Sequence, residues 1–410
     1  MTILNYLIWN GNPEIISIGP ISLRWYGLFF ALAFLIGQQI FYYIYKKEGK
    51  PEKDVDTLTI YMVVATILGA RFGHVIFYEP EMFLLDPLGI ILPIEFSPFR
   101  FVGFQGLASH GAAIGILLAL YLYSNFTFGS TNKDVISNDK SVNAGEITKK
   151  TKNNAFIKRR RRPGQSYLQV VDRIVIIVAL AGAMIRLGNY FNSEIIGKPT
   201  DKPWSVVFVG NLSETLKDKR VDSNQIVESI AYLKNDSLPA ESNGRMPILI
   251  YFFFKPNATE QQINTLLNFK VKDIINARLY EFIEIPQHLQ LDYQIAKQEN
   301  GAYAVRLEAF GISRHPSQLY ESISCVFLFL LLFFIWAYYK ENLPAGRLLG
   351  IFLIVCFGLR FLYEFLKENQ KSFEDTLPIN MGQILSIPLV IAGIIILLLS
   401  FRKTGQQNPE

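Results

Sequence analysis

Three arginines stand inside long apolar blocks: Arg71 in ILGARFGHVIFYE, Arg186 in AGAMIRLGNYFNSE and Arg360 in CFGLRFLYEF. A charged side chain in a membrane span costs about 2.5–3.5 kcal/mol on insertion scales, which makes each of them a functional hypothesis. A guanidinium presents a planar fork of donors that matches the oxygens of a phosphate, so several at one level suit an anionic lipid headgroup. Polar companions accompany them. Arg186 and Asn189 are i, i+3 and share a helix face, and Asn192 and Glu194 follow directly. Arg360 and Glu364 are i, i+4, a spacing at which a carboxylate fixes a guanidinium for a phosphate. His110 lies in the small-residue run SHGAAIG, where an imidazole has room for a substrate. Tyr26 belongs to RWYG, and His315 to RHPSQLYE (Arg314–Glu321), which is dense in donors and acceptors. Each residue alone has a plainer explanation: snorkelling or helix pairing for the arginines, a satisfied core position for His110, a membrane-belt anchor for Tyr26. Five separate spans contributing polar groups at one level is harder to explain that way.

The elements that must position these groups follow from composition. The chain has 410 residues, 50% hydrophobic and 18% charged, against about 25% charged in soluble domains. Long charge-free blocks alternate with short charged ones, the pattern of a polytopic membrane protein. A single soluble globule, a disordered chain and a secreted disulfide scaffold are excluded. Cys325 and Cys356 both sit in apolar blocks, against a structural disulfide or a metal site. The first 20 residues hold no Lys or Arg and are interrupted by Pro13 and Pro20, so no cleavable signal is expected.

Runs of about 20 apolar residues can cross the roughly 30 Å hydrocarbon core. Seven are expected, at 22–45, 56–79, 106–124, 168–188, 318–338, 347–366 and 382–401. The apolar stretch 80–105 holds four prolines and reads as an interfacial or re-entrant arm. Lys46, Lys47, Lys50 and Lys53 follow span 1, Lys149 to Arg162 follow span 3, and Lys340, Arg347, Arg402 and Lys403 mark the later cytoplasmic sides. The opposite loops are poor in basic residues, which puts the N-terminus outside and the C-terminus in the cytoplasm. Each of the three arginines then lies roughly 21–26 Å above the inner surface, at 1.5 Å per residue.

Two inserts interrupt the spans. Residues 125–167, ending in KRRRRPG, read as a solvated cytoplasmic loop whose cations enforce topology, with a lipid-headgroup or nucleic-acid patch as the alternative. Residues 189–317 are long enough for a small outer domain: Trp204–Val209, Pro247–Phe254 and Ala302–Ala309 read as strands, Glu260–Ala277 as an amphipathic helix. The fold class is thus an all-α polytopic membrane protein of about seven transmembrane helices with a small α+β extracytoplasmic head between spans 4 and 5. Its divisions are 1–124 (spans 1–3 and the arm), 125–167 (basic cytoplasmic loop), 168–188 (span 4), 189–317 (head), 318–401 (spans 5–7) and 402–410 (cytoplasmic tail).

RLGNYFNSEIIG (Arg186–Gly197) and RHPSQLYE, supported by LRWYG, GARFG, SHGAAIG, RFLYEF and MGQILS, resemble the blocks of the prolipoprotein diacylglyceryl transferase family. The resemblance covers the spans and neither insert. It implies transfer of the diacylglyceryl group of phosphatidylglycerol to the lipobox cysteine of a prolipoprotein, forming a thioether and releasing glycerol phosphate, at a bacterial cytoplasmic (inner) membrane. It makes His110 and Arg186 the leading functional residues, with Arg186 binding phosphatidylglycerol. Asn189, Glu194, Gly197, Tyr26, Arg360 and Glu364 support them, and His315 matches the family's second histidine. The expected substrate-binding set is Arg186, Arg360, Gly197 and Arg71. The expected partners are phosphatidylglycerol, prolipoprotein signal peptides and the bilayer; no cofactor, metal or nucleic acid is expected, and the chain is read as a monomer.

A free thiol has a pKa of about 8.5 and reacts as its thiolate, and desolvation raises that value. The reaction therefore needs a base, read as His110 with His315 second, and cations for the departing phosphate, read as Arg186 and Arg360. Two rival classes remain at this level. A transporter or flippase for an anionic lipid would place its polar groups nearer the midplane, and a structural membrane subunit with a binding head would not convert a lipobox peptide.

Overall fold

Long apolar runs become long helices in the computed structural model, which describes residues 6–18, 21–91, 94–96, 99–101, 106, 108–128, 157–159, 162–285, 291–368 and 378–404. Seven helices dominate: α1 Trp25–Lys47, α2 Lys53–Tyr78, α3 Ser109–Asn125, α4 Tyr167–Phe191, α5 Ser317–Tyr339, α6 Arg347–Tyr363 and α7 Met381–Thr404, the last with Pro388 inside it. Among the described residues six helices are long and apolar enough to cross a membrane, as a polytopic membrane protein requires. The exception, α3, has 17 residues and is about 26 Å long at 1.5 Å per residue. The proline-rich stretch after α2 breaks into the short helices Met82–Leu85 and Pro87–Ile91 and a hairpin of Ile94–Phe96 with Phe99–Phe101.

The chain forms two compact units, one of Met1–Ala33, Val178–Leu331 and Phe352–Ile394, the other of Phe34–Ile177, Leu332–Ile351 and Ile395–Glu410. In the second, α2 and α3 pack through glycine. A Cβ on Gly73 would lie 2.5 Å from Gly111 Cα, and one on Gly115 2.7 Å from Ala65 O, so the glycines of GARFG and SHGAAIG are there to let two backbones touch. The same unit buries ionic pairs. Arg173 lies 2.8 Å from Glu48, which also accepts from Trp336 Nε1 at 2.8 Å. Asp172 accepts the N–H groups of Gly346 and Leu349 at 2.6 and 2.8 Å, a carboxylate at the start of α6 where the helix dipole favours it.

Most of the basic insert, residues 129–156 and 160–161, lies outside the described residues. Its edges pair as strands, Phe126–Phe128 with Ile157–Arg159. Arg162 departs from the solvated reading of its run. Its guanidinium sits over the Tyr123 ring at 4.2 Å, faces Asp54 at 3.5 Å and donates to Phe126 O at 3.3 Å.

The first unit holds a seven-stranded sheet, larger than the expected small head. Its strands are β1 Leu7–Trp9, β2 Val206–Phe208, β3 Val227–Lys234, β4 Arg245–Phe254, β5 Ile283–Glu284, β6 Tyr293–Lys297 and β7 Tyr303–Arg314. The order is β1-β2-β7-β4-β3, with β5 and β6 also paired to β7. Alternation along β4 buries Ile248, Ile250, Phe252 and Phe254, which form one core with Ile263, Leu267, Val271 and Ile275. Those four lie on the expected amphipathic helix, which starts at a Thr259/Gln262 capping box and passes through a π-helical turn at Leu266–Val271. The N-terminal strand β1 joins this sheet parallel to β2, a pairing that no local pattern announces. Long β7 ends at Arg314 and leads directly into α5, so the sheet delivers His315 to the start of that helix.

Candidate active site

Helix α4 ends in a strained turn. Ser193 and Ile195 both have positive φ, 55° and 56°, costing about 1–3 kcal/mol each, and such strain clusters at functional sites. The turn is held by polar bonds around Glu194. Its carboxylate accepts from Asn189 Nδ2 and Asn192 Nδ2, each at 3.3 Å. Its carbonyl accepts from Gln318 Nε2 at 2.6 Å, while Ser317 Oγ donates to Ile195 O at 2.8 Å. The first turn of α5 thereby locks the end of α4. Tyr26, at the start of α1, packs on the same segment, since a Cβ on Gly188 would lie 2.9 Å from the Tyr26 ring.

One turn back, Arg186 Nη1 donates to Asn189 Oδ1 at 3.4 Å and Nε faces Glu321 Oε2 at 2.5 Å. The other oxygen of Glu321 pairs with Lys367 Nζ. Lys367 then reaches Glu364 Oε1 at 3.2 Å, and Glu364 faces Arg360 Nε at 3.7 Å while accepting from Asn380 Nδ2 at 3.2 Å. The result is an unbroken row of alternating charge, Arg186–Glu321–Lys367–Glu364–Arg360, drawn from α4, α5 and the end of α6. Its middle is buried, with the Lys367 side chain 3% exposed, and its ends are open, with Arg186 20% and Arg360 41% exposed. Three cations against two carboxylates leave a net charge of +1. Gly382, in MGQILS, gives Glu364 its place: a Cβ there would lie 2.5 Å from the Glu364 Cδ.

His315 is pinned by its backbone, donating to Lys198 O and accepting from Gly197 N, both at 3.1 Å. A Cβ on Gly197 would lie 2.6 Å from the His315 Cβ, so this glycine works by close approach. The ring Nδ1 lies 3.2 Å from Tyr320 Oη. Burial, then the nearby Lys202, lowers the His315 pKa below its usual value. Arg314 is a clasp: it donates to Glu281 O at 2.7 Å and Gly197 O at 3.1 Å and pairs with Glu368 at 2.8 Å.

The structure therefore gathers Arg186, Asn189, Glu194, Arg360 and Glu364 into linked contacts, with Tyr26, Gly197 and His315 in the same unit. His110 and Arg71 belong to the other unit. His110 is exposed at the second position of α3. Arg71 is buried on α2 and donates to Gly89 O at 3.0 Å and Met82 Sδ at 3.6 Å. Sequence reasoning passed over Lys367 and the role of Glu321; the signal available was a lysine i+3 from Glu364 and a glutamate in the first turns of span 5. Among the described residues, no three His, Cys, Asp or Glu side chains are grouped so as to hold a metal ion.

A row of cations at helix ends, stiffened by buried carboxylates, suits a phosphorylated lipid headgroup. The family model for prolipoprotein diacylglyceryl transferase matches residues 13–136 and 151–399. A phosphatidylglycerol–prolipoprotein diacylglyceryl transferase of Chloroherpeton thalassium is 30% identical over 408 residues, 99% of this chain and 98% of that protein. Proteins of the same name from Tolumonas auensis and Bacteroides fragilis are each 29% identical, covering 98% and 94% of this chain and 100% and 92% of their own lengths. By these matches, this chain belongs to the prolipoprotein diacylglyceryl transferase family.

Proposed function

We propose that this chain moves the diacylglyceryl group of phosphatidylglycerol onto the lipobox cysteine thiol of a prolipoprotein, the first step of lipoprotein maturation. His110 takes the thiol proton. The sulfur then attacks the glyceryl carbon that bears the phosphate ester; the C–S bond forms, the C–O bond breaks, and glycerol phosphate leaves with the electron pair. The phosphodiester carries one negative charge and the departing monoester gains a second, so cations fixed beside it lower the barrier. Arg186 and Arg360 supply them. Glu321 and Glu364, bridged by Lys367 between them, orient the two guanidiniums, while Asn189, Glu194 and Tyr26 shape the end of α4 around the headgroup. Arg71, already engaged with Gly89 and Met82, serves the lipid site less directly by fixing the segment after α2.

The setting that fits is the bacterial inner membrane, crossed seven times with α3 included, N-terminus outside and C-terminus in the cytoplasm, and the sheet on the outer side. The bias of Lys and Arg toward alternate loops supports this orientation. The chain is read as a monomer. The observation that carries the proposal is the row of five alternating charges, open only at its arginine ends. Purified protein supplied with phosphatidylglycerol vesicles and a lipobox peptide should release glycerol phosphate in step with thioether formation; a protein that binds the lipid without releasing glycerol phosphate contradicts it.

A further inference from the structure

Tyr320 Oη has two ring-nitrogen partners, Trp204 Nε1 at 2.8 Å and His315 Nδ1 at 3.2 Å. An indole N–H only donates, so the phenol oxygen accepts from Trp204. Its own proton then has Nδ1 as its acceptor. In the reverse arrangement Nδ1–H would donate to the phenol and leave the phenol proton to solvent, whereas the arrangement in which Tyr320 donates to Nδ1 satisfies all three groups within the protein. A neutral imidazole carries one N–H, which places the proton on Nε2. We infer that Trp204 and Tyr320 are positioning residues that hold His315 as a neutral imidazole with Nδ1 accepting and Nε2–H offered, so that His315 serves transfer as a hydrogen-bond donor and not as the base.

The surroundings agree. Burial and Lys202 both disfavour a charged ring. Among the described residues no carboxylate is bonded to His315, and its neighbour Arg314 is occupied with Glu281 O, Gly197 O and Glu368. On α6, Tyr363 lies 6.5 Å from Tyr320 between ring centroids, its hydroxyl bonded to Ser324. Backbone bonds to Lys198, Gly197 and Ser317 fix the main chain from which the ring projects. Trp204 is exposed, so the relay starts at the surface and ends at the histidine. A hydrogen bond donated to the neutral ring opposes its protonation, which is why the relay and the low pKa belong together.

This inference rests on the transferase reading for its activity arm alone. The direct test uses the full chain in lipid nanodiscs with 15N-labelled histidine, His315 being assigned by the signals lost in His315→Gln. At neutral pH the ring should show protonated Nε2 and bare Nδ1. Tyr320→Phe should raise its pKa and mix the tautomers, and Trp204→Phe should do the same to a smaller extent, the other histidine signals staying unchanged as the check on folding. In turnover, His315→Gln keeps a donor near the Nε2 position and should lose less than about 100-fold in kcat, whereas removing a true base costs ~10²–10⁴-fold. A protonated Nδ1 in the unsubstituted protein, or a loss above about 100-fold in folded His315→Gln, overturns the inference. The tautomer is read without substrate, so failure of the transferase reading leaves that arm intact.

Discussion

Lys367→Met removes the centre of the charge row while keeping the length of the side chain. Lys367 is nearly inaccessible and touches both Glu321 and Glu364. At an effective dielectric constant near 20, a unit pair 3.2 Å apart interacts by about 5 kcal/mol, in line with the ~3–5 kcal/mol lost when one partner of a buried pair is removed. The row falls from net +1 to zero, and each carboxylate keeps only its arginine. Both arginines are then pulled toward carboxylate and away from phosphate. The expected loss in kcat/KM is that of one missing charge-stabilising donor, ~10²–10³-fold. Lys367→Arg, which keeps the charge, should retain most of the activity. Lys367→Met combined with Glu321→Gln restores the net +1 and frees Arg186 from its carboxylate, so the double variant should work at least about tenfold better than Lys367→Met alone, as coupled neighbours do. The assay is glycerol phosphate release from phosphatidylglycerol vesicles with a lipobox peptide, at matched membrane abundance. Unchanged kcat/KM in Lys367→Met, or losses in the double variant that simply multiply, would refute the reasoning.

Arg186→Ala should insert normally and lose transfer by ~10²–10³-fold or more, checked by immunoblotting of membranes beside product release. His110→Asn should lose ~10²–10⁴-fold at neutral pH, read as product release at matched membrane abundance. Arg71→Gln breaks the bond to Gly89 O and should lower membrane abundance and activity in proportion; full abundance with lost activity would instead make Arg71 a lipid ligand. His315 has a lowered pKa in the folded protein, so the unfolded chain takes up its proton first as the pH falls. Its contribution to stability is complete above about 6.5 and is lost as the pH drops toward the folded value; thermal unfolding in detergent should show this, and His315→Gln should flatten it.

Much of this was legible because it is local. Period and length gave the long helices, and the i, i+3 and i, i+4 spacings gave the Arg186–Asn189 and Arg360–Glu364 pairs that the structure contains. Alternation located β2, β4 and β7 within a few residues. What escaped was non-local. Lys367 meets Glu321 only because α5 and the end of α6 meet, and nothing in either segment marks the other. The same holds for β1, whose three residues read as nothing until they pair with β2 across the intervening spans. The glycines of GARFG and SHGAAIG entered only as blocks of the family resemblance and prove to be contact points between helices. Arg162 looked like one cation of a solvated run and is held against an aromatic ring.

Binding of phosphatidylglycerol to the purified protein, followed by the 31P signal of the lipid in nanodiscs, tests the grip of the two arginines on the headgroup most directly. Arg186→Ala and Arg360→Ala should each weaken that binding by at least about tenfold, as loss of a charge-assisted contact to phosphate demands. Headgroup binding that survives intact in both variants would contradict it.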